Sequence, residues 1–165
     1  MSIKVRGWSE NDWPGMWRII EPVVRGGETY AYSRDATELT MKRAWTELPE
    51  ATFVAGDQAG ALLGTYYLKA NQQGPGAHVC NCGYIVGAEA RGRGVATLMC
   101  EHSQAQAVAM GFRAMQFNLV VSTNAGAVRL WEKLGFEIVG RLPGAFDHPR
   151  VGEVDALVMF KRLGK

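Results

Sequence analysis

Tyr84-Ile85-Val86-Gly87-Ala88-Glu89-Ala90-Arg91-Gly92-Arg93-Gly94-Val95-Ala96 passes from an apolar strand through a glycine-punctuated turn into the start of a helix. Small residues at 92, 94 and 96 let the main chain come close to a ligand. The free N–H groups of a helix start point at an anion, with the helix dipole behind them. Arg91 and Arg93 add positive charge. The physical reading is a cradle for a pyrophosphate, and an ordinary tight turn is the plain alternative. The common nucleotide patterns do not fit. No Gly-Lys-Ser/Thr follows the turn. The dinucleotide fingerprint needs a third glycine near the start of a βαβ unit, whereas Thr97 stands here and the turn lies mid-chain.

Upstream of the turn, residues 51–55, 61–70 and 77–86 read as strands, separated by the turns 56–60 and 72–76. They predict a three-stranded antiparallel meander. Earlier still, residues 3–6 alternate as a short strand. Asn11 or Asp12 is placed to cap a helix with Pro14 in its first turn and Trp13, Met16, Trp17 and Ile20 on one face. Residues 25–32 read as a loop, and a second helix is expected over 36–48, ending before Pro49. Downstream, Val95, Leu98, Met99, His102 and Ala105 fall on one helical face, with Gly111 as terminator. Residues 114–121 form a strand. Residues 124–134 form a helix with Ala127, Leu130, Trp131 and Leu134 at helical spacing, closed by Gly135. Strands over 136–141 and 154–161 complete the pattern, with the polar residues Arg141, Asp147, His148 and Arg150 near a connection before the last strand. That stretch reads either as a solvated loop or as part of a binding rim. The order predicts an α/β (α+β mixed) fold, a mixed sheet flanked by about four helices.

The chain has 165 residues, 47% of them hydrophobic and 21% charged, which excludes a disordered chain. Residues 1–165 are read as one domain, since no linker, repeat or charge block divides them. A net charge of +2 is too weak a surplus to argue for nucleic acid or an anionic membrane. No run reaches the roughly 20 apolar residues of a membrane span, and the N-terminus lacks a signal-peptide pattern. Three cysteines make no disulfide framework. Cys80 and Cys82 lack the further ligands of a metal site and read as buried small hydrophobes, so no metal is expected. A cytoplasmic protein is expected.

Arg91-Gly92-Arg93-Gly94-Val95-Ala96 resembles the Arg/Gln-x-x-Gly-x-Gly/Ala motif of the GNAT family of N-acetyltransferases. Asn124-Ala125-Gly126-Ala127-Val128-Arg129-Leu130-Trp131-Glu132-Lys133-Leu134-Gly135-Phe136 resembles that family's Asn-x-x-Ala-x-x-Leu-Tyr-x-x-x-Gly-Phe signature. The resemblance covers residues 51–163 well and the first 50 in outline. Within the family, residues 78–84 and 116–121 are similar to the acetyltransferases that detoxify the proline analogue azetidine-2-carboxylate. The resemblance implies a GNAT fold, a mostly antiparallel mixed sheet splayed between two parallel strands, with acetyl-CoA bound in the splay and no metal. By the same resemblance, main-chain groups of Ile85 and Val86 pair with the pantetheine arm. The amides of Arg91, Gly92, Arg93, Gly94, Val95, Ala96 and Thr97 hold the pyrophosphate. Asn124 contacts the pantetheine side, a role compatible with capping its helix. The implied reaction is direct attack of an amine on the thioester, with a backbone amide near Val86 stabilising the oxyanion. The family's usual Tyr is replaced by Trp131, which also lies on the apolar helix stripe and reads as a packing residue.

Asn81 is the main catalytic candidate. A polar amide in an apolar strand must find a partner, either a substrate or a structural hydrogen bond to a neighbouring strand. Asn118 stands in the same position on the next strand. His78 is a candidate base. Glu28, Tyr30 and Tyr32 are candidates for the acceptor pocket, and His102 reads as a satisfied core residue. The resulting expectation is an N-acetyltransferase acting on a small-molecule amine, such as an amino acid or its toxic analogue, with a homodimer as an open possibility. The alternatives are acetylation of a protein N-terminus or lysine, and a CoA-binding sensor without chemistry.

Overall fold

The computed structural model describes residues 2–164. Seven strands form one sheet: β1 (Lys4–Gly7), β2 (Ala51–Gly56), β3 (Leu62–Ala70), β4 (Val79–Val86), β5 (Ala114–Val121), β6 (Glu137–His148) and β7 (Gly152–Arg162). Their spatial order is β1-β2-β3-β4-β5-β7-β6. The expected meander is β2-β3-β4, antiparallel throughout. β4 and β5 pair in parallel, and only at Val79↔Ala114 and Cys80↔Met115. Beyond that rung the two strands part. This is the splay between parallel strands that the family resemblance implied.

Four helices cover the two faces: α1 (Trp13–Gly26), α2 (Glu38–Lys42), α3 (Val95–Ala109) and α4 (Ala125–Lys133). Side chains alternate across a strand, so neighbouring residues of β2, β3 and β4 feed two separate cores. Val54, Tyr67 and Ile85 pack with Met16, Ile20, Met41 and Trp45 on the α1/α2 face. Ala55, Tyr66, Leu68, Cys80 and Cys82 pack with Val95, Met99, Cys100 and Trp131 on the α3/α4 face. Met16 and Ile20 are wholly buried, each contributing about 1.5–3 kcal/mol. The helix expected over 36–48 is α2 continued by a wider turn at Arg43–Glu47, capped by the Thr37 hydroxyl on the Thr40 N–H.

Several local expectations need correction. Neither Asn11 nor Asp12 caps α1 with its side chain. Asp12 instead accepts the Ser9 N–H at 2.8 Å and pairs with Arg6 at 2.8 Å. The Arg6 guanidinium holds its carboxyl down to about 2. On α3 the buried stripe is Val95, Met99, Cys100, Ser103 and Ala107, while Ala105 is exposed. Four-residue steps follow the contact face of this helix better than the assumed 3-then-4 alternation. His102 is satisfied, as read, by the Tyr66 hydroxyl at 2.7 Å. β6 and β7 run further than 136–141 and 154–161, so Asp147 and His148, like Arg141, lie in a strand rather than a connecting loop. Pro143 and Gly144 sit at a register shift between Leu142 and Phe146. Because β6 is the sheet edge, a proline there breaks no essential rung.

Among the described residues no helix is long and apolar enough to cross a membrane. None of their His, Cys, Asp and Glu side chains form a group of three or more that could hold a metal.

Candidate active site

The parting of β4 and β5 opens a cleft of about 1080 Å³. One end is walled by the glycine turn and the start of α3, the other by the loop after α1 and the β6–β7 hairpin. The first hydrogen bond of α3 runs from Leu98 N–H to the Gly94 carbonyl. The amides of 94–97 precede it, and no side chain caps them. Gly92 and Gly94 hold φ of +77° and +78°, a left-handed backbone that favours glycine. A Cβ at either would meet nothing within 4 Å, so both glycines face open space. Arg91, Gly92, Gly94, Val95, Ala96 and Thr97 line the cleft. Arg93 is exposed and does not, which removes it from the expected cradle wall. Asn124 lines the cleft and leaves its side chain free of any cap bond, so it is not the plain cap.

In an antiparallel pair, residues alternate between turning both main-chain groups to the partner and turning both away. Gly87 N–H reaches the Leu63 carbonyl of β3. Tyr84 N–H and C=O both meet the Tyr30 hydroxyl, at 2.7 and 2.8 Å. Residues 85 and 87 therefore face β3, and 84 and 86 face the gap. Ile85 lines the cleft, but its main chain pairs with β3 and is not open to a ligand. Of the two expected pairing residues only Val86 presents free main-chain groups.

Tyr30 thus replaces the missing β5 neighbour at Tyr84, accepting one hydrogen bond and donating another. Burial pushes its phenol far above the usual value, so it stays a donor. Its ring stacks on Tyr32 and meets Trp45 edge-on. A Tyr30→Phe variant keeps those ring contacts and strands both Tyr84 groups. It is expected to lose about 1 kcal/mol of stability, read by urea unfolding, and no change would mean that water fills the gap equally well.

Asn81 is 8% exposed and lines the cleft. Its Nδ2 donates to the Gln116 carbonyl of β5 at 2.9 Å, one residue beyond the last β4–β5 rung. Among the described residues its Oδ1 makes no hydrogen bond and, since no buried side-chain oxygen goes unpartnered, it is open to the cleft. Asn118 is exposed at the cleft, bound to Asn71 and Gln116 through its amide. His78 lies before β4, at the closed end where β4 and β5 still pair, and does not line the cleft. The structure therefore separates His78 from the other candidates. Glu28, Tyr30 and Tyr32, in the loop after α1, do line it.

Three basic side chains of the cleft, His148, Arg150 and Lys69, were left undecided or unnoticed in the sequence. His148 is 6% exposed, and its Nδ1 accepts the Arg150 N–H at 3.2 Å. With Nδ1 accepting, the other ring nitrogen of this cleft-lining side chain is the N–H donor. Arg150 pairs with Glu28 at 2.9 Å, strapping the β6–β7 hairpin to the loop after α1. Arg141 instead pairs with Asp155, outside the cleft. Lys69 of β3 also lines the cleft, and a lone lysine in a strand carries no sequence signal of a site.

The floor is aromatic. Trp131 packs on Tyr84 and Phe117, each with ring centroids 5.1 Å apart, and is 9% exposed. Cys82 borders the cleft, but burial, with Cys80 beside it, raises its thiol well above the usual range. It is no nucleophile at neutral pH.

A family model described as acetyltransferase (GNAT) family matches residues 13–136. The N-acetyltransferase aca1 of Schizosaccharomyces pombe is 34% identical over 97 residues, covering 59% of this chain and 46% of that protein. The match spans under half the length of that curated relative. A GCN5-related N-acetyltransferase from Kribbella flavida superposes with a TM-score of 0.93, at 41% identity over 98% of both chains. A phosphinothricin acetyltransferase from Sinorhizobium meliloti, solved in complex with acetyl-CoA, superposes at 0.87. Its 22% identity, over 99% of this chain and 90% of that one, makes it a likeness of fold.

Proposed function

Since the chain belongs to the acetyltransferase (GNAT) family, we propose that it is an acetyl-CoA-dependent N-acetyltransferase whose acceptor is a small free amine, such as an amino acid or a toxic amino-acid analogue. We take residues 1–165 as one N-acetyltransferase domain. The observation that carries the reading is the single cleft that joins the uncapped amides of 94–97 to the parted β4–β5 edge and to the loop of Glu28, Tyr30 and Tyr32.

Acetyl-CoA supplies an acyl group activated as a thioester. The chain's own groups suit that co-substrate: a main-chain anion cradle, a free strand edge at Val86 and an amide side chain at Asn124. Val86 N–H is placed to donate to a carbonyl oxygen as it gains charge. Asn81 Oδ1 is an acceptor for the N–H of an incoming amine. The amine must be neutral to attack. A lysine-type amine with a pKa near 10.4 is neutral in fewer than about one molecule in a thousand at pH 7, and an α-amino group near 8 in about one in ten. An amino-acid acceptor therefore needs no strong carboxylate base, and among the described cleft residues the only acid, Glu28, is already paired with Arg150. The same scarcity of acid, together with the Glu28–Arg150 strap, favours a small amine over a basic protein tail.

The test is CoA release from acetyl-CoA across free amino acids, azetidine-2-carboxylate, polyamines, aminoglycosides and short peptides. The expected result is turnover confined to small amines. Turnover of peptides alone would move the acceptor to a protein.

A further inference from the structure

We propose that Lys69 reads the acceptor, holding an anionic group on an amine of amino-acid size. This rests on the small-amine reading above and adds the residue and the charge that select within that class. Lys69 stands on β3 directly opposite Asn81 of β4, and both line the cleft. Its ammonium lies 5.3 Å from the centre of the Tyr67 ring, two residues back along the same face. Tyr67 in turn lies over Gly83, where a Cβ would come within 2.6 Å of the ring. The lysine therefore leans along the sheet toward the end where β4 and β5 part.

Its charge has no counterion. Among the described residues Lys69 joins none of the ion pairs. Glu28 is held by Arg150. Glu50, which shares a neighbouring pocket with Lys69, turns its carboxylate to the Ala70 N–H at 3.1 Å. Lys69 is a half-buried residue whose ammonium has no carboxylate partner among the described residues, so it is free to take an anion. At this end the cleft also offers the His148 N–H, a donor, and Asn81 Oδ1, an acceptor. A zwitterion matches that set, with its anion on Lys69 and its amine on the Asn81 side. A polyamine would bring a second ammonium against Lys69 and be repelled.

The test compares one amino acid with its carboxamide and with the decarboxylated amine, in the parent and in Lys69→Met and Lys69→Arg. The parent is expected to prefer the acid over the amide by at least about tenfold in kcat/KM, the worth of one charge-assisted hydrogen bond. Lys69→Met is expected to lose that preference, with kcat/KM for the acid falling about tenfold through KM and that for the amide held within about twofold. Lys69→Arg should keep the preference, and CoA affinity by calorimetry should be unchanged in both. A parent that accepts the amide as well as the acid overturns the assignment, as does a Lys69→Met variant that slows both alike. In those cases small amines still turn over and the proposed function stands. Silence with every amine alongside normal CoA binding removes the small-amine reading, and this assignment with it.

Discussion

Asn81→Ala is expected to lower kcat by at least about 100-fold, the scale of losing one aligned polar group from a reacting centre. The Kd for CoA should stay within about threefold, since the cradle amides lie at the other end of the cleft. The same variant should cost about 1–3 kcal/mol of stability. The two losses have separate origins. Nδ2 donates to the Gln116 carbonyl one residue past Cys80↔Met115, so it bridges the two strands where main-chain pairing stops. Deleting it leaves that carbonyl without its partner at the root of the splay. Oδ1 faces the cleft and is the atom available to an amine. Steady-state kinetics with calorimetry and urea unfolding on one preparation separate the roles. Unchanged kcat with lowered stability would reduce Asn81 to a strand staple.

The second large effect is expected at the glycine turn. Gly94→Val should weaken CoA binding by at least about 100-fold, because a branched side chain in the left-handed region strains the backbone by about 1–3 kcal/mol and covers the amides that follow. Among the described residues, chain neighbours aside, nothing lies within 4 Å of the added Cβ. Gly60 offers the matched control, with φ of +85° and equally open surroundings in the β2–β3 turn, away from the cleft. Gly60→Val should lose similar stability and bind CoA normally. A Gly94→Val protein that binds CoA as the parent does would end the pyrophosphate assignment.

Elements marked by a strong local pattern were legible. Residues 114–121 read as a strand and are β5. The glycine turn, the three-strand meander and the helix carrying Trp131 all stand close to where periodicity and turn residues put them. Their signals are short-range: a period of two or near 3.6, and glycines at positive φ. Edges were less legible. The edge strand β6 tolerates Pro143 and Gly144, which in isolation look like a loop. Of the candidate site, the loop of Glu28, Tyr30 and Tyr32 and the side-chain amides of Asn81 and Asn118 do reach the cleft, while His78 and Arg93 do not. Side chains one residue apart in such a motif can fall on either side of a wall, and composition carries no information about which.

The amino-acid pattern alone determined the element order, the glycine turn and a polar Asn81 between two apolar cysteines. It did so because each rests on backbone preferences felt within a few residues. Only the tertiary structure decided which main-chain groups are free. That depends on the β3–β4 register, which turns Ile85 inward and Val86 outward, and on Tyr30 reaching Tyr84 across 54 residues of sequence. It also decided the charges at the end of the cleft beside the loop after α1, where Arg150 pairs with Glu28 and Lys69 joins no ion pair among the described residues. Pairings between segments that are distant in the chain are chosen by packing over the whole sheet, and the same lysine, arginine or histidine would look alike in any solvated strand or loop.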